Sequence, residues 1–307
     1  MMIFWIISNN YELKMYPRII FYYLNEYIYM KKKLLIQNKY SFHYEIIESV
    51  IVKYYEILEI DKDTPIDIHL GVNGDKSFRL YINQKYPNVI FNNLQEYDYS
   101  IDCTIYPGNG VKLDKTKSNN KYIAHKINSE YEENPNVYFL TPLSKSNYFY
   151  ADILPYSENK TVSDIPVYII QGNLNQGRRY NNLLMKILDN TYQYEFIIKL
   201  VGRGRLPAEL KKYENKIVLK NNLDFANFHK EFLDAYCILP LISKKTHSDY
   251  YTSKLTSTIN YARGYKLKCL IDKDLQEIYN LDNVEIYNDI NDISESFKNT
   301  LEEFYNK

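Results

Sequence analysis

Three cysteines in 307 residues, with no CxxC among them, leave this chain without a disulfide framework or a cysteine-based metal knuckle. Cys103, Cys237 and Cys269 are widely spaced, and the last two lie in strand-like runs, so buried apolar roles in a reducing compartment are expected. The histidines (His43, His69, His125, His229, His247) form no HExxH and no close pair, and signal no zinc site. Net charge is missing as well. The 38 Lys and Arg balance 38 Asp and Glu, so no global field draws the chain to nucleic acid or an anionic membrane. Long apolar runs are also lacking. The opening MMIFWII has no basic n-region and is too short to span a bilayer, and RIIFYYLNEYIYM carries Asn25 and Glu26 in mid-run. Neither reads as a signal peptide or a transmembrane segment, and a cytoplasmic location is expected.

Tyrosine is abundant, at 34 residues, and isoleucine, asparagine and lysine are frequent throughout. All four have AT-rich codons, so the bias is read as a property of the genome, such as that of a large DNA virus or a protist, and not as a set of stacking platforms. The first convincing strand pattern, MKKKLLIQN, begins at Met30, so residues 1–29 read as an N-terminal extension, with Met30 a candidate start.

From Lys33 onward, short apolar runs alternate with helical periodicity. LLIQ reads as a strand, and HYEIIESVIVKYYEIL as a helix with Ile47, Val50, Ile51, Tyr54 and Leu58 on one face. PIDIHLGV (strand), KSFRLYINQKY (helix) and NVIF, SIDCTIYP, NKYIAHKI and NVYFLTP (strands) complete an α/β half over residues 30–155. The polar, proline-bounded LPYSENKTVSDIP is the best linker, taken as residues 156–166.

Residues 167–290 are more regular. The strands VYIIQ, EFIIKLVG, KIVLK, YCILPLI, LKCLID and NVEIY are separated by helices, among them LPAELKKYE, DFANFHKEFLDA with Asp224 as N-cap, and SKLTSTINYARG with Gly264 as C-cap. Residues 291–307 read as a closing helix. Almost wholly apolar strands between helices imply a parallel sheet covered on both faces, hence a Rossmann-like domain.

In such a domain ligands bind outside the carboxyl ends of the strands, against helix N-termini that suit phosphate. Three loops converge there. In QGNLNQGRR, Gly172 and Asn173 precede Arg178 and Arg179, one step from a Walker A pattern. With Arg179 in place of a hydroxyl residue there is no side chain for Mg²⁺, so an ATPase is disfavoured. VGRGR places Gly202, Arg203, Gly204 and Arg205 after the second strand, and TSKLTST places Ser253, Lys254, Thr256 and Ser257 at a helix start after the fourth. GNLNQG lacks the GxGxxG spacing of a dinucleotide oxidoreductase.

The order of these segments resembles the C-terminal domain of a GT-B glycosyltransferase of the group 1, family 4-like kind. The likeness covers Val167 to about Asp272. It implies two Rossmann-like domains with a cleft between them: an N-terminal acceptor domain and a C-terminal donor domain. By this resemblance the chain transfers a sugar from a nucleotide sugar, such as a UDP-sugar, to a hydroxyl of a glycan, protein or lipid. No cofactor beyond the donor and no metal is implied. The diphosphate leaving group falls to Arg178, Arg179, Lys254, Thr256 and Ser257, with Arg205 a further candidate, because preorganised cations and helix dipoles stabilise the charge that develops on it. Gly172, Asn173, Gly202 and Asp249 are expected at the nucleotide or sugar. A catalytic base is expected from the N-terminal domain, either His43 at the opening of its first helix or His125 at the end of YIAH. The chain departs from family 4 in having no glutamate between Glu231 and Glu277, which leaves the ribose contact and the stereochemistry open. IDKDL imitates a DxD metal motif, but Asp272 reads as a helix cap there. Two alternatives share the scaffold: a UDP-sugar epimerase, and a catalytically degenerate binding subunit.

Overall fold

A computed structural model describes residues 31–40, 42–72, 75–108, 113–157, 159–174 and 180–307. The N-terminal half builds one parallel sheet from β1 (Lys32–Asn38), β2 (Ile66–Val72), β3 (Tyr99–Ile105), β4 (Asn120–Ala124) and β5 (Val137–Phe139), in the order β2-β1-β3-β4-β5. Helix α1 (Tyr44–Leu58) buries Ile46, Ile47, Val50, Ile51, Ile57 and Leu58 against it. Helix α2 (Lys76–Lys85) adds Phe78, Tyr81 and Ile82, and a single turn, α3 (Ser129–Glu132), precedes β5. The buried Glu48 on α1 is tolerated because Tyr81, Tyr86 and Lys85 all reach its carboxylate.

The second sheet, β11-β10-β9-β6-β7-β8, is parallel throughout: β6 (Val167–Asn173), β7 (Ile197–Arg203), β8 (Ile217–Asn221), β9 (Cys237–Ile238), β10 (Lys268–Asp272) and β11 (Val284–Tyr287). Between them lie α4 (Asn181–Thr191), a 3₁₀ helix (Ala208–Tyr213), α5 (Phe225–Lys230), α6 (Asp249–Thr252), α7 (Ser257–Gly264) and α8 (Lys273–Tyr279), and α9 (Ile293–Tyr305) closes the chain. The α/β class and the two Rossmann-like domains are as the sequence implies. Among the described residues, no helix is long and apolar enough to cross a membrane.

Several expectations need correction. NVIF is not a strand: only Ile90 bridges β2, at His69, and Asn92 then turns to hydrogen-bond the His69 ring at 2.8 Å. YCILPLI shrinks to Cys237–Ile238, since Pro240 has no N–H to offer and Leu241 takes a left-handed φ of 48°. LPAELKKYE is a 3₁₀ turn and not an α-helix. The SKLTST helix starts at Ser257, so Ser253 and Lys254 fall in the turn before it. Gly264 is the last helical residue and not a left-handed cap. It is glycine because a Cβ there would sit 1.9 Å from the Ile153 carbonyl oxygen, where the chain leaving the first domain crosses. The three cysteines are free and buried. Asp272 caps α8, accepting from the Asp274 and Leu275 amides at 3.0 and 3.3 Å.

Candidate active site in the interdomain cleft

The carboxyl ends of both sheets open on one cleft of about 960 Å³ between the domains, a volume suited to a ligand the size of a nucleotide sugar. Its C-terminal wall is backbone-rich. Gly172 and Gly202 lie side by side at the ends of β6 and β7, with φ of 111° and 157°. A Cβ on Gly202 would stand 1.7 Å from the Gly172 oxygen, so only glycine lets the two loops touch. Asn173 and Arg203 follow them into the cleft.

Thr256 and Ser257 present the start of α7, where Thr256 makes no side-chain cap. The first amides of that helix therefore face the cleft with the dipole's positive end. The buried Gln171 on β6 donates to Ser257 Oγ and Thr258 Oγ1, both at 3.0 Å. Ser257 thus accepts from inside the protein, and its own hydroxyl hydrogen is not spent on that bond. Lys254 also lines the cleft, its Nζ 5.6 Å from the Tyr250 ring centre.

The N-terminal wall is aromatic and titratable. Asn38 pins the turn after β1, donating to the Phe42 oxygen at 2.7 Å, and His43 opens α1 with a left-handed φ of 64°. His43 Nδ1 meets Glu45 Oε1 at 3.1 Å and Nε2 meets the Tyr106 hydroxyl at 2.8 Å, with side chains 24% exposed for His43 and 13% for Glu45. Burial disfavours the Glu45 charge, but the His43 hydrogen bond and the helix backbone outweigh it and hold the carboxyl below its ordinary value. The His125 ring lies 4.1 Å from that of His43. Burial, and then the neighbouring His43 and Lys254 charges, push His125 well below the ordinary imidazole value, and its Nε2 donates to the Cys103 oxygen at 3.3 Å.

The predicted residues distribute unevenly. His43, His125, Gly172, Asn173, Gly202, Lys254, Thr256 and Ser257 all line the cleft. Arg178 and Arg179 lie outside the described residues. Arg205 does not line the cleft. It faces a separate shallow depression with Pro207 and Glu209, because β7 ends at Arg203 and the chain turns at Gly204, whose φ is 132°, before Arg205 is reached. Asp249 lies beyond the cleft wall, its carboxylate taken up at 2.9 Å by Lys126. Sequence reasoning passed over Glu45, Tyr106, Gln171, His229 and Asn260. Glu45, an acid in a first helical turn two residues after a candidate base, was within reach. The others carry no local signal, since only the fold brings them to the cleft.

No protein-family model matches this chain, and no curated protein does. Solved structures do. AviGT4, a glycosyltransferase involved in avilamycin A biosynthesis, superposes with a TM-score of 0.56 at 9% identity, over 87% of this chain and 88% of that one. Alr3699/HepE of Anabaena, solved in complex with UDP-glucose, gives 0.51 at 10% identity over 89% and 91%. At such identities the likeness concerns the fold alone, and the fold is the GT-B architecture.

Proposed function

We propose that this two-domain GT-B chain is a glycosyltransferase that moves a sugar from a nucleoside-diphosphate sugar, of which UDP-sugars are the first candidates, to an acceptor hydroxyl. The observation that carries this is one cleft with opposite chemistry on its two walls. The C-terminal wall offers the α7 N-terminus, the Ser257 hydroxyl, Lys254 and Arg203; the N-terminal wall offers a histidine–carboxylate pair.

In this reading His43 is the base and His125 is not, because His125 is buried and its Nε2 is already bonded to Cys103. Glu45 holds Nδ1–H of His43, which leaves Nε2 as the basic nitrogen. The acceptor hydroxyl takes the place of Tyr106 Oη at Nε2 and passes its proton there. Its oxygen attacks the anomeric carbon while the bond to the β-phosphate oxygen breaks and the diphosphate leaves with the electron pair. Direct attack of this kind inverts the anomeric configuration. Lys254, Arg203 and the helix dipole meet the charge that builds on the leaving phosphate, where each such group is worth a few kcal/mol in the transition state. The acceptor is a glycan, protein or lipid hydroxyl.

The test is thermal shift of the wild type and Lys254→Ala with a panel of nucleotides and nucleotide sugars, followed by turnover with the donor that stabilises. Lys254→Ala is expected to lower turnover at least tenfold at nearly unchanged melting temperature, since a partly exposed lysine contributes little to folding. Donor hydrolysis or isomerisation without an acceptor would point to an epimerase. No stabilisation by any nucleotide, from folded protein, would favour a binding scaffold.

A further inference from the structure

The floor of the cleft carries polar atoms that the mechanism above does not use. Asn260, on α7 one turn beyond Thr256, is only 3% exposed and lines the cleft. Its carboxamide makes no hydrogen bond to the described residues and its polar atoms stay open to the cleft, where a ligand can meet them.

On the same lining, His229 of α5 is 2% exposed. Its protonation can be read from its neighbours. The Tyr265 hydroxyl donates its single hydrogen to the His229 carbonyl oxygen at 3.2 Å and accepts the Tyr156 amide at 3.2 Å. With that hydrogen on the carbonyl, the hydroxyl accepts at its 2.8 Å contact with His229 Nδ1, and Nδ1 is assigned the ring hydrogen. Nε2 is then a lone pair, and it has no protein partner among the described residues. From the opposite domain Glu45 lines the same cleft, close enough for its charge to act on His229. The rings hold this meeting together: Phe225 packs at 4.3 Å from His229 and at 6.5 Å from Tyr44 of α1.

We propose that Asn260, His229 and Glu45 form a reader of sugar hydroxyls that selects the donor sugar across the two domains. A carboxylate and an imidazole lone pair only accept, and the amide both donates and accepts. Such a set repels phosphate and suits an uncharged ring with neighbouring O–H donors. The phosphate-directed groups sit elsewhere, at the α7 N-terminus and on Lys254. A site built around buried hydroxyl partners discriminates strongly, because a substrate lacking the matching hydroxyl leaves those partners unpaired. The assignment of the ring to the donor rests on the glycosyl-transfer reading; the hydroxyl selectivity rests on the three side chains.

Saturation-transfer NMR on the full chain tests it, using as probes UDP, UDP-glucose, UDP-N-acetylglucosamine, GDP-mannose and the free monosaccharides. Asn260→Ala removes no protein hydrogen bond and should fold as the wild type does; His229→Leu removes the lone pair, and His229→Gln restores an acceptor near Nε2. The expected result is sugar-ring saturation in the wild type that falls at least fivefold in Asn260→Ala and His229→Leu, returns in His229→Gln, and leaves nucleobase saturation unchanged. Sugar signals that survive both losses, or fall in step with the base signals, would overturn the proposal. Nucleotide binding without any sugar-ring signal would overturn it while sparing the nucleotide-directed reading. Sugar-ring signals that respond to the variants, with no nucleotide bound by the wild type, would uphold the hydroxyl reader and remove the donor reading.

Discussion

His229 shows how one residue ties the site to acid stability. Burial lowers its pKa from 6.5 to about 4, the Glu45 charge opposing and Lys85 adding slightly. Between those values the unfolded chain binds a proton that the folded one refuses, so stability rises with pH across the window. The contribution is complete above pH 6.5 and lost as the pH falls toward 4, about 3 kcal/mol in all. Asp102 slopes the other way: burial raises its pKa from 3.8 to about 6, so its contribution falls as the pH climbs through that range. The two largely cancel in the whole protein, and a variant is needed to separate them. The stability advantage of wild type over His229→Gln, from urea unfolding, is expected to shrink by about 3 kcal/mol between pH 7 and pH 4. A difference that does not change with pH would mean that His229 is not held neutral.

At the scale of the element, the cleft depends on where backbone comes close to backbone. Gly202→Ala puts a methyl group 1.7 Å from the Gly172 oxygen at a φ that side chains avoid. It is expected to cost at least about 2 kcal/mol and to weaken nucleotide binding with it. Gly108 supplies the control, with a positive φ of 82° but open space around it, so Gly108→Ala should cost only about 1 kcal/mol. Melting temperatures of the two variants check the contrast, and equal losses would mean that strain and not contact decides. Of these elements much was legible. Six strands of the second sheet announced themselves as apolar runs, and Asp224 as an N-cap, which accepts the Asn227 amide at 2.8 Å. The need for Gly202 and Gly264 was not legible, because each glycine answers to a carbonyl far away in the chain.

Across the whole molecule, the domains are clasped on both flanks of the cleft. On one side Asp75 caps α2 and also accepts the Phe225 amide at 3.3 Å, while Ser77 Oγ accepts that of Ala226 at 3.2 Å, so two helix N-termini share one acidic anchor. On the other, the Ile127 amide donates to the Ser253 oxygen at 2.8 Å and Lys126 pairs with Asp249 at 2.9 Å. That pair is exposed and worth at most about 1 kcal/mol, so Lys126→Glu should weaken a ligand of the closed cleft two- to fivefold, and the exchanged pair Lys126→Glu, Asp249→Lys should regain it. Titration calorimetry with the stabilising nucleotide decides: equal weakening in the single and exchanged variants would show that the pair does not couple the domains.

Local chemistry by itself determined the α/β class, the parallel C-terminal sheet and the loops that carry Gly172, Gly202, Lys254, Thr256 and Ser257, since periodicity, capping and turn signals act over a few residues. Which of those loops face the cleft, and with what partners, was decided only by the tertiary structure. Arg205 and Arg203 are two residues apart in one motif, yet they line different depressions. His43 and His125 are distant in the chain, yet their rings stand 4.1 Å apart. Asn260 and His229 gain their meaning from burial against a second domain. Burial and contact between sheets are sums over the whole chain, and no short stretch of residues encodes them.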